Sequence, residues 1–327
     1  MFHRRLISVF ALLLLFSVGC ASIQSASAKN AGVRIIKEPG LLRVEINGEL
    51  FTEYHFNDAA RPYYYPLIGP QNLRMTRSWP MESPENEEHD HPHHRSLWFA
   101  HGSVNGVNFW SEEKPFGKIV HDQFTEIKSG LESGVIKSRD NWVAPNGTIV
   151  CTDDRTLRIY NRPGMRLFDF EVTIHASHGP VTFGDTKEGT MALRLAETMR
   201  LKGKTGQGHI VNSEGVRDGE TWGKRADWCD YYGPVDGKIV GVAIFDNPAN
   251  PRHPTTWHVR DYGLFAANPF GLHDFEKKPA HTGDFIIPAG QSATFRYRFY
   301  LHDGDEKQAK VAEMYVDYAR AIDAKLK

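Results

Sequence analysis

The stretch Phe168-Asp169-Phe170-Glu171-Val172-Thr173-Ile174 alternates apolar and polar residues with a period of two. Such alternation is typical of a β-strand that buries one face of its sheet and exposes the other. The same period recurs at residues 42–46 and 295–301, and residues 239–245 form a continuous apolar run. Repeated strands separated by short turn-rich gaps predict an all-β fold, a large antiparallel β-supersandwich.

Asn-Gly pairs mark three of these gaps, at Asn47-Gly48, Asn105-Gly106 and Asn146-Gly147. This dipeptide favours two-residue hairpin turns. At the second pair, a two-residue loop would place His101 opposite Trp110. We therefore expect an imidazole beside an indole at this point, a surface suited to holding a sugar ring.

The clearest helical pattern lies at the C-terminus. Apolar residues recur there at helical spacing, at Val311, Met314, Tyr315, Tyr318 and Ile322. The pattern predicts a helix over residues 306–326 that packs against its own domain. We expect residues 29–327 to form a single domain closed by this helix.

The N-terminus has the pattern of an export signal. Two arginines precede an apolar run at residues 6–18, and Ala26-Ser27-Ala28 fits cleavage that removes residues 1–28. Ser17-Val18-Gly19-Cys20 also resembles a lipoprotein box, so membrane attachment through a lipidated Cys20 is an alternative. Either route predicts an exported protein, periplasmic or extracellular.

The net charge of the chain indicates which classes of partner it can bind. The chain has 39 Lys and Arg residues against 40 Asp and Glu residues, a formal net charge of −1. Without a basic stripe, we expect no nucleic-acid partner. Only Cys151 and Cys229 follow the predicted signal. We expect two separate buried thiols rather than a disulfide scaffold.

The segment His89-Asp90-His91-Pro92-His93-His94-Arg95 holds four histidines, and His101 follows it. Histidine exchanges protons or binds metals near neutral pH. Pro92 excludes a regular central strand, so the cluster is predicted to lie in a loop at the rim of the sheet. We expect His91 or His94 to act as an acid. Arg95 would hold a developing negative oxygen, and His101 would bind substrate or shuttle protons.

A second charged segment, residues 184–190, separates two predicted strands and contains Lys187 and Glu188. A carboxylate at such a rim is suited to act as a general base, and we assign that role to Glu188. Aromatic, amide and charged side chains near these segments would bind the substrate; the set comprises His93, Trp98, Trp110, Lys187, Trp257, His258, Arg260, Asn268 and His273.

A bound metal is the competing hypothesis for the histidines. A divalent ion would use His89, His91, His93 and His101, with imidazole nitrogens as ligands. The spacing selects no particular metal, and no carboxylate follows the His-x-His pair at the distance usual in metal sites. We therefore expect no required cofactor.

These motifs also carry a family resemblance. The run at residues 90–99, continuing through residues 101–110, resembles an uncharacterised bacterial family labelled "methane oxygenase PmoA-like". Further matches to it are Lys187-Glu188-Gly189, Trp257-His258-Val259-Arg260 and Asn268-Pro269-Phe270-Gly271. The resemblance covers nearly the whole mature chain.

The resemblance implies the galactose-mutarotase-like supersandwich and sugar chemistry on a small carbohydrate substrate. In mutarotases a histidine protonates the ring oxygen while a glutamate takes the anomeric proton. That glutamate lies late in the mutarotase chain, whereas Glu188 is central here, and Glu276 is the late alternative.

The function predicted from the whole sequence is that of an exported carbohydrate-active enzyme. It would use histidine and glutamate for general acid–base catalysis, as an epimerase, lyase or hydrolase. Two alternatives stay open: a non-catalytic sugar-binding module, and a metal-dependent oxygenase or hydrolase that uses the histidine cluster.

Overall fold

A computed structural model describes residues 31–326, with side chains as far as residue 321. The predicted signal peptide at residues 1–28 and the lipidation site at Cys20 lie outside the described residues. Within the described part of the chain, no helix is both long and apolar enough to cross a membrane.

The described residues form two large antiparallel sheets. In chain order the strands are β1 (Val33–Glu38), β2 (Leu41–Ile46), β3 (Glu49–His55), β4 (Tyr63–Leu67), β5 (Leu97–His101), β6 (Lys118–Lys128), β7 (Ser133–Val143), β8 (Ile149–Arg162), β9 (Met165–His175), β10 (Val181–Phe183), β11 (Gly189–Arg194), β12 (His209–Asn212), β13 (Trp228–Val235), β14 (Lys238–Asp246), β15 (Trp257–Val259), β16 (Leu264–Ala267), β17 (Phe285–Ile287) and β18 (Ser292–Asp303). The helices are α1 (Leu272–Glu276) and α2 (Val311–Leu326).

The first sheet has the order β1-β2-β3-β4-β5-β11-β16-β15, and the second has the order β12-β13-β14-β18-β9-β8-β7-β6. Strands β10 and β17 form a separate two-stranded ribbon. One hydrophobic core joins the facing sides of the two sheets. The predicted antiparallel β-supersandwich with a C-terminal helix is confirmed.

Strand β9 shows how the alternating pattern builds the sandwich. Phe170 is buried in the core, where its ring meets Tyr64 of the first sheet at 5.7 Å. Its neighbour Glu171 points to the other side and pairs there with Arg296 at 2.6 Å. Successive side chains of the strand thus point alternately to the core and to the solvent, as the period of two requires.

Helix α2 covers the outer side of the second sheet. Tyr315 and Tyr318 pack on Phe245, with ring centroids 5.6 and 6.0 Å away. The helix begins at Val311, five residues later than predicted. Lys310 has a left-handed φ of 53°, which interrupts helical backbone, and Glu306 instead pairs with Arg217 at 2.5 Å.

The Asn105-Gly106 turn is present, but its register differs from the prediction. The backbone N–H of Phe109, not that of Trp110, donates to the carbonyl of His101 at 3.1 Å. A shift of one residue turns a side chain to the opposite face. The expected contact between His101 and Trp110 is therefore wrong.

The two cysteines are separate. Cys151 and Cys229 are free and buried, so the prediction of two buried thiols is confirmed. Burial raises the pKa of both thiols. They are therefore inert core residues rather than reactive thiols.

Substitution on β9 tests the two-faced strand. Phe170→Ala should lower the free energy of unfolding by about 3–5 kcal/mol, because it leaves a cavity between the sheets. Glu171→Ala is the matched control on the opposite face and should cost less than about 1 kcal/mol. Urea denaturation measures both values. Similar losses for the two variants would contradict the assigned orientation.

Candidate functional site

The candidate site lies on the outer side of strands β5, β11, β16 and β15, which we call the site face. The register places Trp98, Ala192, Ala266 and His258 in one row across these strands. Phe99, the neighbour of Trp98, points the other way and meets Trp142 of the second sheet at 6.2 Å. The row therefore faces away from the second sheet, although its four side chains are themselves buried.

Asp90 is the electrostatic centre of the site face. Arg194 donates from one nitrogen to both carboxylate oxygens of Asp90, at 2.8 and 3.0 Å, and Arg77 donates to the same carboxylate. The side chains of both arginines are fully buried. Burial alone would raise the pKa of Asp90, but the hydrogen bond from His91 and the two guanidinium charges lower it well below its usual range.

His91 is the imidazole that Asp90 orients. Its Nδ1–H donates to the Asp90 carboxylate at 2.8 Å. The ring is stacked between Tyr262, 5.1 Å away, and His94, 4.8 Å away, with interplanar angles of 9° and 10°. The side chain of His91 remains 39% exposed. This arrangement fixes the ring and leaves Nε2 as the nitrogen available for proton transfer.

His94 has a different environment, although it lies only three residues further on. It is almost completely buried, and its Nδ1 accepts a hydrogen bond from Arg194 at 3.1 Å. Burial lowers its pKa well below the usual value, so the ring is neutral and carries its proton on Nε2. His94 thus forms the inner wall of the site face.

Three buried hydrogen-bond donors lie at this inner wall, one of them on His94 itself. Within the described part of the chain, His94 Nε2, Trp98 Nε1 and Trp110 Nε1 have no hydrogen-bond partner. The centroids of the three rings are 5.2–5.7 Å apart. An unpaired buried donor costs about 1–3 kcal/mol, so a water or ligand oxygen that accepts from these groups would recover that free energy.

A second aromatic group borders the stack. Trp222 donates from Nε1 to Nδ1 of the buried His258 at 3.0 Å. The guanidinium carbon of Arg260 lies 5.8 Å from the Trp222 ring and 5.4 Å from the Tyr262 ring. Burial, with smaller effects from the charges of Arg260 and Lys187, lowers the pKa of His258 to about 3. His258 is therefore neutral at physiological pH.

Glu188 lies at the entrance to β11, on the same face. Its carboxylate is 3.5 Å from the ammonium of Lys187, and its side chain is 40% exposed. The pKa of Tyr262 is raised, mainly by burial, and the charge of Glu188 contributes.

Three predicted site residues lie away from this surface. His101 is buried between Phe183 and Phe270, and its Nε2 donates to the carbonyl of Gly184 at 2.7 Å. Trp257 and Asn268 are also buried: the indole donates to the Ala226 carbonyl at 3.0 Å, and the amide donates to the Thr186 and Lys187 carbonyls. The structure does not bring these three together with His91.

The remaining predicted residues lie around the rim. Arg95 makes two contacts to Glu112, at 3.1 and 3.4 Å, so its guanidinium is already paired. His93 packs edge-on against His94 at 4.4 Å, and burial lowers its pKa to about 3. His273 is held at the surface by the carbonyl of Lys278.

The proposed metal ligands are dispersed. His89 stacks on Trp79 with centroids 4.0 Å apart, and His101 faces the core. Among the residues that the structure describes, no group of three His, Cys, Asp or Glu side chains is arranged to hold a metal ion. The four histidines of the metal hypothesis are not brought together.

The sequence patterns assigned no role to five residues of the site, namely Asp90, Arg77, Arg194, Trp222 and Tyr262. Arg194, on β11, binds Asp90. Arg77 belongs to no recognisable sequence motif. Tyr262 belongs to the aromatic and charged run that begins at Trp257, which is the signal that could have identified it.

The family of the chain follows from a sequence comparison. A model described as a family of unknown function, DUF6807, matches residues 41–316. The chain belongs to this family. The description of the matched family does not include the label "methane oxygenase PmoA-like". A search of curated proteins gives no match.

Solved structures give distant similarities. An α-galactosidase from Lactobacillus brevis is 10% identical, with a TM-score of 0.40; the match covers 84% of this chain, which spans 40% of that enzyme. A galactose mutarotase related enzyme from Lactobacillus acidophilus is 11% identical over 83% of this chain and 97% of its own, with a TM-score of 0.29.

A galactose mutarotase-like protein from Clostridium acetobutylicum is 7% identical over 84% of this chain and 100% of its own, with a TM-score of 0.36. At identities and TM-scores this low, these similarities assign no activity to the chain.

Removal of the central carboxylate should be costly. Asp90→Asn should lower the free energy of unfolding by about 3–5 kcal/mol, because it leaves the buried Arg77 and Arg194 without a counter-charge. Glu82→Gln is the matched control, since it breaks an ion pair whose two side chains are half-exposed, and should cost less than about 1 kcal/mol. Urea denaturation at neutral pH measures both, and equal losses would contradict the central role of Asp90.

The buried histidines predict acid lability. Burial lowers the pKa of His93 and His258 to about 3 and of His101 to about 4, and that of His94 also falls. Unfolded histidine titrates near about 6.5, so below that pH the unfolded chain binds more protons and stability falls towards the folded pKa values.

Two other histidines change the stability of the fold with pH in the opposite direction. The pKa values of His253 and His302 are raised, because despite burial their contacts with Asp246 and Asp230 favour the charged rings. They stabilise the fold as pH falls, but the four histidines whose pKa values are lowered have the larger effect on the free energy of unfolding. The free energy of unfolding in urea should therefore drop by at least about 2 kcal/mol from about pH 7 to about pH 5. An unchanged value would refute the neutral buried state of these histidines.

Proposed function

We propose that the protein is a carbohydrate-active enzyme in which His91 transfers the proton during general acid–base catalysis. The observation that carries the proposal is the Asp90–His91 hydrogen bond of 2.8 Å, anchored by Arg77 and Arg194. A carboxylate bound to Nδ1–H holds an imidazole in one tautomer and orientation, and it stabilises the protonated ring. This is what a proton-transferring histidine requires.

His91 is a better candidate than His94 for the proton-transferring group. His94 is nearly inaccessible to solvent, and its Nδ1 is occupied by Arg194. A substrate on the site face would meet the exposed His91 ring first. His94, neutral and with a proton on Nε2, would support the His91 ring by stacking.

Glu188 would be the second proton-transferring group. Its half-exposed carboxylate pairs with Lys187 at the start of β11, the strand that also carries Arg194. A histidine and a carboxylate on one face suit removal of a proton from one sugar atom and delivery to another. Epimerisation, elimination and glycoside hydrolysis all use two proton-transferring or nucleophilic groups.

The aromatic rings would hold the sugar. Trp222 and Tyr262 are partly exposed, and both border Arg260. Aromatic rings stack on the apolar face of a pyranose, while charged and polar groups bind its hydroxyls. Export through the predicted signal peptide, with or without lipidation of Cys20, is part of this proposal and would expose the enzyme to environmental glycans.

The proposal predicts the effect of two conservative variants. The purified protein would be assayed on a panel of sugars and glycosides by polarimetry for epimerisation, ultraviolet absorbance for elimination and reducing-sugar release for hydrolysis. On the substrate found, His91→Asn and Glu188→Gln should each lower kcat by about 10²- to 10⁴-fold, the usual contribution of an acid–base group. Thermal unfolding would show that both variants remain folded.

His281→Asn is the matched control. His281 also pairs with an aspartate, at 3.0 Å from Asp284, but its side chain is 84% exposed. This variant should keep wild-type turnover. Full activity in His91→Asn would refute the role of His91. Sugar binding without turnover would favour the binding-module alternative, and loss of activity with a chelator, reversed by a divalent ion, would favour the metal alternative.

A further inference from the structure

Arg260 is a cation of the site face whose guanidinium has no acceptor among the protein groups that the structure describes. It lies over the rings of Trp222 and Tyr262, at 5.8 and 5.4 Å. Among the described residues, no carboxylate lies within ion-pair distance of it, and no carbonyl accepts a hydrogen bond from its side chain. Its backbone N–H is used separately, in a bond to the Leu264 carbonyl at 2.7 Å.

The other arginines near the site are already bound to protein acceptors. Arg77 and Arg194 share the carboxylate of Asp90. Arg61 donates to the carbonyls of Phe109, His93 and Trp110 at 2.6–3.1 Å. A partly buried guanidinium presents five donors in a fixed plane, so Arg260 retains unused hydrogen-bonding capacity.

The other charged groups of the site face already have protein counter-ions. Lys187 pairs with Glu188, and Asp90 pairs with both Arg77 and Arg194. The charges of Glu197 and Glu87 also act on Arg77. An anionic ligand group would therefore find its counter-charge at Arg260, and a neutral sugar would leave that guanidinium without one.

We propose that the site binds an acidic sugar, with the carboxylate of a uronic acid unit held by the guanidinium of Arg260. The inference rests on the proposed function, because it names the substrate class of that same site. A guanidinium pairs with a carboxylate through two parallel N–H···O bonds. The rings of Trp222 and Tyr262 restrict the motion of the guanidinium before a ligand binds, and they border the position that the sugar would occupy.

Calorimetric titration tests the inference without relying on turnover. The wild-type protein would be titrated with galacturonate and glucuronate, and with galactose and glucose, which carry a hydroxymethyl group in place of the carboxylate. The uronates should bind about ten- to a hundredfold more tightly, the range expected for hydrogen bonds to a charged group. Equal affinities, or no uronate binding, would overturn the proposal.

Substitutions at Arg260 assign the preference to this side chain. Arg260→Gln should remove the preference for uronates, and Arg260→Lys should keep only part of it, because the ammonium lacks the planar fork. Arg158→Gln is the control for lost charge: Arg158 lies on the second sheet, paired in register with Asp169, and its removal should leave the preference intact. Circular dichroism would confirm folding. A preference that survives in Arg260→Gln would overturn the proposal.

Two further titrations separate this inference from the proposed function. His91→Asn should lose turnover but keep the uronate preference, so failure of catalysis and failure of acidic-sugar recognition give different results. Galactose 1-phosphate and glucose 6-phosphate test the kind of anion. Tighter binding of the phosphates than of the uronates would overturn the carboxylate assignment.

Discussion

The ionic contact of Asp90 with Arg77 and Arg194 is the constraint on which the site depends. It joins the histidine loop to β11 of the first sheet, through two guanidinium groups that are fully buried. Buried cations without a counter-charge are strongly unfavourable, so the carboxylate must occupy this position. Once Asp90 is fixed, its hydrogen bond orients His91, and the stack of Tyr262, His91 and His94 follows.

The sandwich supplies the rigid support for this contact. Strands β5 and β11 pair in register, and their inward side chains belong to the core shared with the second sheet. Their outward side chains are thereby held at fixed spacing. The loop that carries Asp90 and His91 is irregular, but it is bound to Arg194 of β11 and to Arg77, whose backbone N–H donates to the Arg194 carbonyl. These attachments hold side chains on the loop in fixed positions relative to the sheet.

Local patterns predicted the fold but only part of the site. The period of two at residues 168–174 reports which side chains face the core, so the sandwich could be derived from sequence. The partners of Asp90 lie 13 residues before it and 104 residues after it, and no local pattern reveals such pairs. The same limit explains the misplacement of His101, because one residue of register decides which face a side chain joins.

The dense histidine cluster shows that environment, not composition, assigns roles to side chains. His89 stacks on Trp79 at the surface, His93 packs against its neighbour, and His94 is a neutral buried wall. His91 alone of these four has a carboxylate partner among the described residues. Four imidazoles within six residues therefore provide one oriented proton-transfer group, and the other three shape its surroundings. The selection is made by a single carboxylate, whose own position is dictated by arginines distant in sequence.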